Sequence, residues 1–166
     1  MSNVTVEDLD LGNGYQIRGS DLRPYISDVD EFRASVAGDE AAEAIIATSE
    51  GRYDDALEIL DDLLAQDPES LRYRALRADV LRDQGALDAA EAVYSDLVAR
   101  SADDPARGLT MRQHRAKVWF HQGRLAEAEA EFAAVLQARR SAGAQESMLA
   151  SSQQSLDRVR AQIAAG

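Results

Sequence analysis

Apolar side chains recur at helical spacing along most of this chain. In GRYDDALEILDDLLAQDP, which begins at Gly51, the residues Tyr53, Ala56, Leu60 and Leu63 lie three or four apart with Leu64 beside them. A helix carries them on one face and turns its Asp and Glu side chains to solvent. The same arrangement returns in GALDAAEAVYSDLVARSA from Gly85 and in GRLAEAEAEFAAVLQARR from Gly123. Gly51 aligns with Gly85, Ala56 with Ala90 and Leu60 with Tyr94 at an offset of 34 residues; the third copy, with Ala128, Phe132, Val135 and Leu136, lies 38 further on. About four residues near Asp104 to Gly108 account for the difference. Between the copies, Tyr73, Leu76, Val80 and Leu81, then Met111, Val118 and Trp119, mark helical faces of their own.

Each Gly follows one helical stretch and precedes the next by a few residues, where a residue free to adopt left-handed geometry ends a helix and lets the chain double back. The Ala five positions later lets the second helix approach the first closely, and Leu60, Tyr94 and Phe132 fill the space between neighbouring hairpins. A hairpin of this kind cannot bury its apolar face alone, so three of them stack into one continuous core.

The 34-residue period, the Gly and Ala positions, the large apolar position and Asp67-Pro68 together resemble the tetratricopeptide repeat family over about Ala37 to Arg140. The resemblance implies an all-α fold, a right-handed superhelical solenoid of antiparallel helix hairpins capped at both ends, with repeats over residues 37–70, 71–104 and 109–140. The second helices match well. The first helices carry Glu40 and Glu43, Arg74 and Arg77, and Arg112 and Arg115 where the family usually has bulky apolar residues, while the small position is kept as Ala44, Ala78 and Ala116. Pro is missing at the ends of repeats two and three, where Ala102 and Arg140 stand, and looser turns are expected there.

The flanks read as caps. Leu22, Tyr25, Ile26, Val29, Phe32 and Val36 keep helical spacing, which predicts an N-terminal capping helix over residues 20–36 with Ser20 or Ser27 as N-cap. Leu149, Leu156, Val159 and Ile163 predict a C-terminal capping helix within 141–166. Before them, Leu9 and Leu11 can face Tyr15 and Ile17 across Gly12-Asn13-Gly14. A lone hairpin is marginal in water, so an extended or disordered arm is expected over residues 1–19.

Composition narrows the chemistry. Aromatics supply 5% of the residues, so the core is built from Ala, Leu and Val. There is no Cys, which removes disulfides and thiolate metal sites. A net charge of -12 opposes nucleic-acid binding, which needs clustered cations in excess. Residues 1–70 hold 18 acids and 4 bases, whereas residues 71–166 hold 12 acids and 14 bases. Of the basic residues only Lys117 is lysine, a bias that a high-GC, bacterial genome would produce. Met1 to Ile17 carries acids where a signal peptide has bases, and no apolar run approaches the ~18 residues of a membrane span, so a cytoplasmic protein is expected.

No nucleophile stands with a base. His114 and His121 are roughly 10 Å apart along one helix, too far to share a metal directly. The acidic pairs Asp54-Asp55, Asp61-Asp62 and Asp103-Asp104 fall on helix starts or polar faces, and Gly12-Asn13-Gly14 lacks the remaining glycine and the helix of a phosphate cradle. No catalytic residue, metal or cofactor is assigned.

What the resemblance implies is a binding groove on the concave side, lined by the first helix of each repeat. Its candidate residues are Arg72, Asp79 and Arg82 in repeat two and Gln113, Lys117, Phe120 and His121 in repeat three. Between Arg107 and Arg124 there are five basic residues, two His and no acid, so an acidic segment is the matching ligand. Arg74, Arg77, Arg112 and Arg115 are placed to pair internally with the acidic second helices. Some members of the family hold chaperone tails with a Lys, Asn and Arg clamp; the matching positions here are Ala41, Ile45, Leu76, Asp79, Thr110 and His114, so that clamp is absent. The expected function is a non-enzymatic protein- or peptide-binding adaptor, a monomer or weak homodimer, with a self-associating scaffold or assembly factor as the alternative. An open groove would also tolerate reversal of Arg82 and Lys117 to Glu without loss of helicity.

Overall fold

The computed structural model describes residues 4–166. The predicted period appears as three helix hairpins: α2 (Ala42–Ser49) with α3 (Tyr53–Gln66), α4 (Leu71–Asp83) with α5 (Leu87–Arg100), and α6 (Pro105–His121) with α7 (Leu125–Ser141). A short α1 (Val29–Ser35) precedes them and a long α8 (Glu146–Ala165) follows. From α2 onward each helix packs on the next in chain order, which makes the body an all-α solenoid.

One turn is used repeatedly. Gly51 has φ 76°, its N–H donates to the Thr48 carbonyl, and the Arg52 N–H reaches back to the Ala47 carbonyl at 2.9 Å. This pair of bonds closes the C-terminus of α2 and needs a left-handed residue at the glycine. Gly85, Gly123 and Gly143 repeat it after α4, α6 and α7.

The packing positions fall inside as the spacing predicts. Ala56, Ala90 and Ala128 are buried, and so are Leu60, Tyr94 and Phe132. Each core cluster draws on one hairpin and the first helix of the next unit: Ala78, Ala90, Tyr94 and Leu97 of the second hairpin pack with Met111 and Val118 of α6. Ala90 is fully buried among Ala78, Tyr94, Leu97, Met111 and Val118, so Ala90→Leu is expected to lower stability by about 1–3 kcal/mol through overpacking, read as a lower urea midpoint. An unchanged midpoint would contradict this packing register.

Several segments differ from expectation. The four residues inserted before repeat three are absorbed as an additional turn at the start of α6, with Pro105 in the first turn and the Asp104 carboxylate accepting from the Arg107 N–H. With no Pro to stop it, α7 runs through Arg140 to Ser141 and ends on the Gly143 turn. The stripe from Leu22 to Val36 is helical only over Val29–Ser35. Pro24 lacks the N–H a helix interior needs and biases Arg23 away from helical geometry, while Asp28 starts α1 by accepting from the Glu31 N–H.

The largest difference is in the segment expected as an arm. Strands β1 (Leu9–Asp10), β2 (Tyr15–Ile17) and β3 (Pro24–Ile26) form an antiparallel meander, with Leu9 opposite Ile17 and Ile17 opposite Pro24. The hairpin that is marginal alone is stabilised here by tertiary contacts. Gln154 of α8 donates to the carbonyls of Glu7 and Ile17 at 3.0 and 2.9 Å, Tyr15 stacks on Phe32, and β3 packs against α2. Met1 to Asn3, the first residues of the expected arm, lie outside the described residues. The sheet therefore reaches from the first hairpin to the last helix, across the concave side.

Candidate functional site

Helices α4, α6 and α8 line the concave side, and the sheet lies over part of it. Two adjoining clefts result. The open one, of about 520 Å³, runs between α4 and α6, with Leu71, Ala75, Leu76 and Met111 as its apolar lining and Arg72 and Arg107 as its cations. The second, of about 280 Å³, lies where Leu11, Tyr15, Ile17 and Pro24 of the N-terminal segment face Arg82, Lys117 and Arg139. Asp79, Thr110 and His114 border both, so the two adjoin.

At the junction, the side chains of Arg82, Asp79, Tyr94 and His114 form one polar network. Arg82 is 1% exposed; its Nη1 donates to Asp79 Oδ1 at 2.8 Å and its Nε to Asp83 Oδ1 at 2.9 Å. The Tyr94 hydroxyl donates to the same Asp79 oxygen at 2.6 Å, and His114 Nδ1 lies 3.0 Å from it. Burial pushes the Asp79 carboxyl up, but the charges of His114 and Arg82 and the hydrogen bonds outweigh it and hold it well below the usual carboxylate range.

Beyond the network the balance turns positive. Lys117 is buried, and burial, aided by the charge of Arg82, pushes its ammonium down to about 8 against the opposing pull of Asp79 and Asp83. It enters no hydrogen bond and no ion pair among the described residues. Arg139 is buried as well, and among the described residues its guanidinium meets only neutral acceptors: Gln113 Oε1 at 2.6 Å, Ser152 Oγ at 2.8 Å, Thr110 Oγ1 at 3.1 Å and the Met148 carbonyl at 3.2 Å. Among the described residues no three His, Asp or Glu side chains converge as metal ligands would, and no helix is long and apolar enough to cross a membrane.

Arg82, Gln113 and Lys117 thus come together beneath the N-terminal sheet and not on an open wall, with Asp79 at the border of both clefts. Arg72 stands apart at the rim, paired with Asp39. Phe120 packs against the core cluster of α6, α7 and α8 with the Arg158 guanidinium near its ring. His121 lies outside both clefts; its Nε2 is buried without a hydrogen-bond partner among the described residues, and burial together with Arg82 and Arg23 pushes it down to about 4. Of the arginines expected to pair internally, Arg77 meets Asp61 of α3, Arg112 and Arg115 meet Glu131 of α7, and Arg74 lies 3.9 Å from Asp96 of α5.

The groove residue that sequence reasoning missed is Arg139. It follows Phe132 and Val135 at helical spacing, on the buried stripe of α7, and a cation on an apolar stripe is the signal that would have found it. Tyr15 was missed because its place depends on the fold of the sheet.

Residues 47–114, from the end of α2 into α6, match the family model described as Tetratricopeptide repeat. No curated protein and no solved structure matches the chain. The matched stretch holds one hairpin and its neighbour, and the same glycine turn, small Ala and large apolar residue recur in α6 and α7 beyond it. Residues 47–114 are thus similar to tetratricopeptide repeats, and the hairpin of α6 and α7 continues their pattern.

Proposed function

We propose that this protein is a non-enzymatic adaptor that holds a protein or peptide segment on its concave side, and that an acidic segment is the best match. Repeats of this family mediate protein–protein interaction. The observation that carries the finer reading is the open cleft between α4 and α6, an apolar floor of Leu71, Ala75, Leu76 and Met111 flanked by Arg72 and Arg107. Apolar side chains of a partner would fill the floor while its carboxylates meet the two arginines. The net charge of -12 favours a protein partner over nucleic acid, and the same reading assigns a cytoplasmic monomer or weak homodimer.

The residues to reverse are not those expected of an open groove. Arg82 and Lys117 are buried, so Glu at either position would place a carboxylate beside Asp79 and Asp83 and disturb folding. Arg72 and Arg107 are exposed, and their ion pairs with Asp39 and Asp104 contribute little to stability. Arg72→Glu with Arg107→Glu is expected to weaken binding of a purified acidic partner at least tenfold with helicity unchanged, because reversal adds repulsion to lost attraction. Binding to the natural protein should also fall as salt rises from 0.1 to 1 M. Salt-independent binding that the double variant retains would place the interface elsewhere.

A further inference from the structure

We propose that the cleft beneath the N-terminal sheet is a binding site for a single carboxylate on a short aliphatic body, supplied by the end of a partner segment or by a free small acid. In the first form it rests on the adaptor reading above; in the second it stands alone.

Charge is the first argument. Arg82, Lys117 and Arg139 bring three cations to the cleft beside His114, and Asp79 is the carboxylate among the lining residues; Asp83 bonds Arg82 from behind and lies 3.9 Å from Arg23. The lining therefore carries more positive than negative charge. The neutral oxygens around Arg139 satisfy its hydrogen-bonding groups without cancelling its charge, and Lys117 has neither a counter-ion nor an acceptor among the described residues. Buried cations of this kind are ordinarily paired, because transfer from water is costly without a partner. A carboxylate would offset part of that excess, and its aliphatic stem, which phosphate lacks, would meet the apolar side of the cleft.

Shape and lining are the second argument. The volume of about 280 Å³ admits a small ligand. Around the cations stand neutral hydrogen-bonding groups from Thr110, Gln113 and Ser151, and opposite them stand the apolar side chains of Leu11, Ile17, Pro24 and Met148. A carboxylate on an aliphatic stem suits both sides. The open cleft adjoins this one at Asp79, Thr110 and His114, so a segment lying between α4 and α6 would bring its terminal carboxylate close to the cleft's mouth.

Lys117 is the only lysine in the chain, so its signal can be read without assignment. The whole protein, labelled with 13C at lysine Cε, is titrated at pH 6.5 with sodium propionate, with inorganic phosphate and with chloride at matched ionic strength. Two further arms use an acetylated tetrapeptide of apolar residues with a free carboxyl and its amidated twin. Propionate is expected to move the Lys117 resonance saturably and to raise the pH at which it titrates, while phosphate and chloride do not. That titration is shaped by Asp79, Arg82 and Asp83 of α4, His114 of α6, Arg139 of α7, and Tyr15 and Arg23 of the N-terminal segment. A response to the free-carboxyl peptide but not to its twin assigns the carboxylate to a chain end; a response to propionate alone assigns it to a free acid. Lys117→Gln, which removes an unpaired charge and leaves the packing volume, is expected to weaken propionate binding at least tenfold by calorimetry. Silence of the lysine towards both propionate and the peptide overturns the site, and so does an equal response to phosphate. If propionate binds but the Arg72 and Arg107 reversals leave partner binding intact, the adaptor groove fails and the carboxylate site stands.

Discussion

Arg82→Met should lower stability by about 3–5 kcal/mol, the cost expected when one partner of a buried ionic cluster is removed. In a chain of this size that corresponds to a fall in melting temperature of roughly 6–20 °C. The reason lies in what stays behind. Asp79 would keep Tyr94 and His114 as partners, but Asp83, itself buried, would keep only Arg23, whose Nε lies 3.9 Å from it. Met fills much of the volume of the arginine stem, so the loss reports charge and not a cavity. The contrast is Arg72→Met, which breaks a rim pair with Asp39 and should cost no more than about 1 kcal/mol.

Acid should act through the same cluster. The folded-state pKa of Asp79 is depressed, so its contribution to stability is complete above the unfolded value near ~4 and is lost as pH falls below it. In Arg82→Met the depression shrinks, and the acid limb of the stability profile should flatten. Urea unfolding of both proteins between pH 3 and 7 measures this. A loss under about 1 kcal/mol for Arg82→Met would show that the cluster is not a stabilising unit.

Leu22→Ala is the second large effect, at about 2–5 kcal/mol. Leu22 lies in the connection between β2 and β3, is fully buried, and packs with Ala116, Phe132, Leu136, Leu156 and Val159 of α6, α7 and α8. The chain holds it at φ 61°, a left-handed conformation unfavourable for leucine, with its N–H donating to the Arg18 carbonyl at 2.9 Å. Burial of the side chain offsets that strain, and Ala would retain the strain without the burial. Hydrogen exchange should quicken at Leu9, Gln16 and Ile17 along with the global loss, because the meander is pinned through this residue and Gln154. A change below about 1 kcal/mol would mean that the sheet rests on the solenoid without stabilising it.

The solenoid was legible because its information is local. Gly51, Gly85 and Gly123 end helices through bonds to residues three and five positions back, and Ala90 and Tyr94 pack within their own hairpin and against the next helix. Interactions of that range leave a period in the sequence, so stacked hairpins with buried Ala and large apolar positions could be read without coordinates. The cation-rich face of α4 and α6 was legible through the resemblance, which implied a concave side lined by Arg82, Gln113 and Lys117.

What covers that face was decided only by the tertiary structure. Gln154 bonds Glu7 and Ile17 from the opposite end of the chain, and Leu22 closes a core built from α6, α7 and α8. Contacts over such separations leave no periodic mark. The segment before α1 has only a weak hairpin signal, and the stripe from Leu22 to Val36 mimics a helix that Pro24 interrupts. The repeat pattern and its resemblance to tetratricopeptide repeats implied which side Lys117 faces. Whether that side meets water or the underside of a sheet depends on where the first residues of the chain find their partners, and burial there lowers the Lys117 ammonium to about 8.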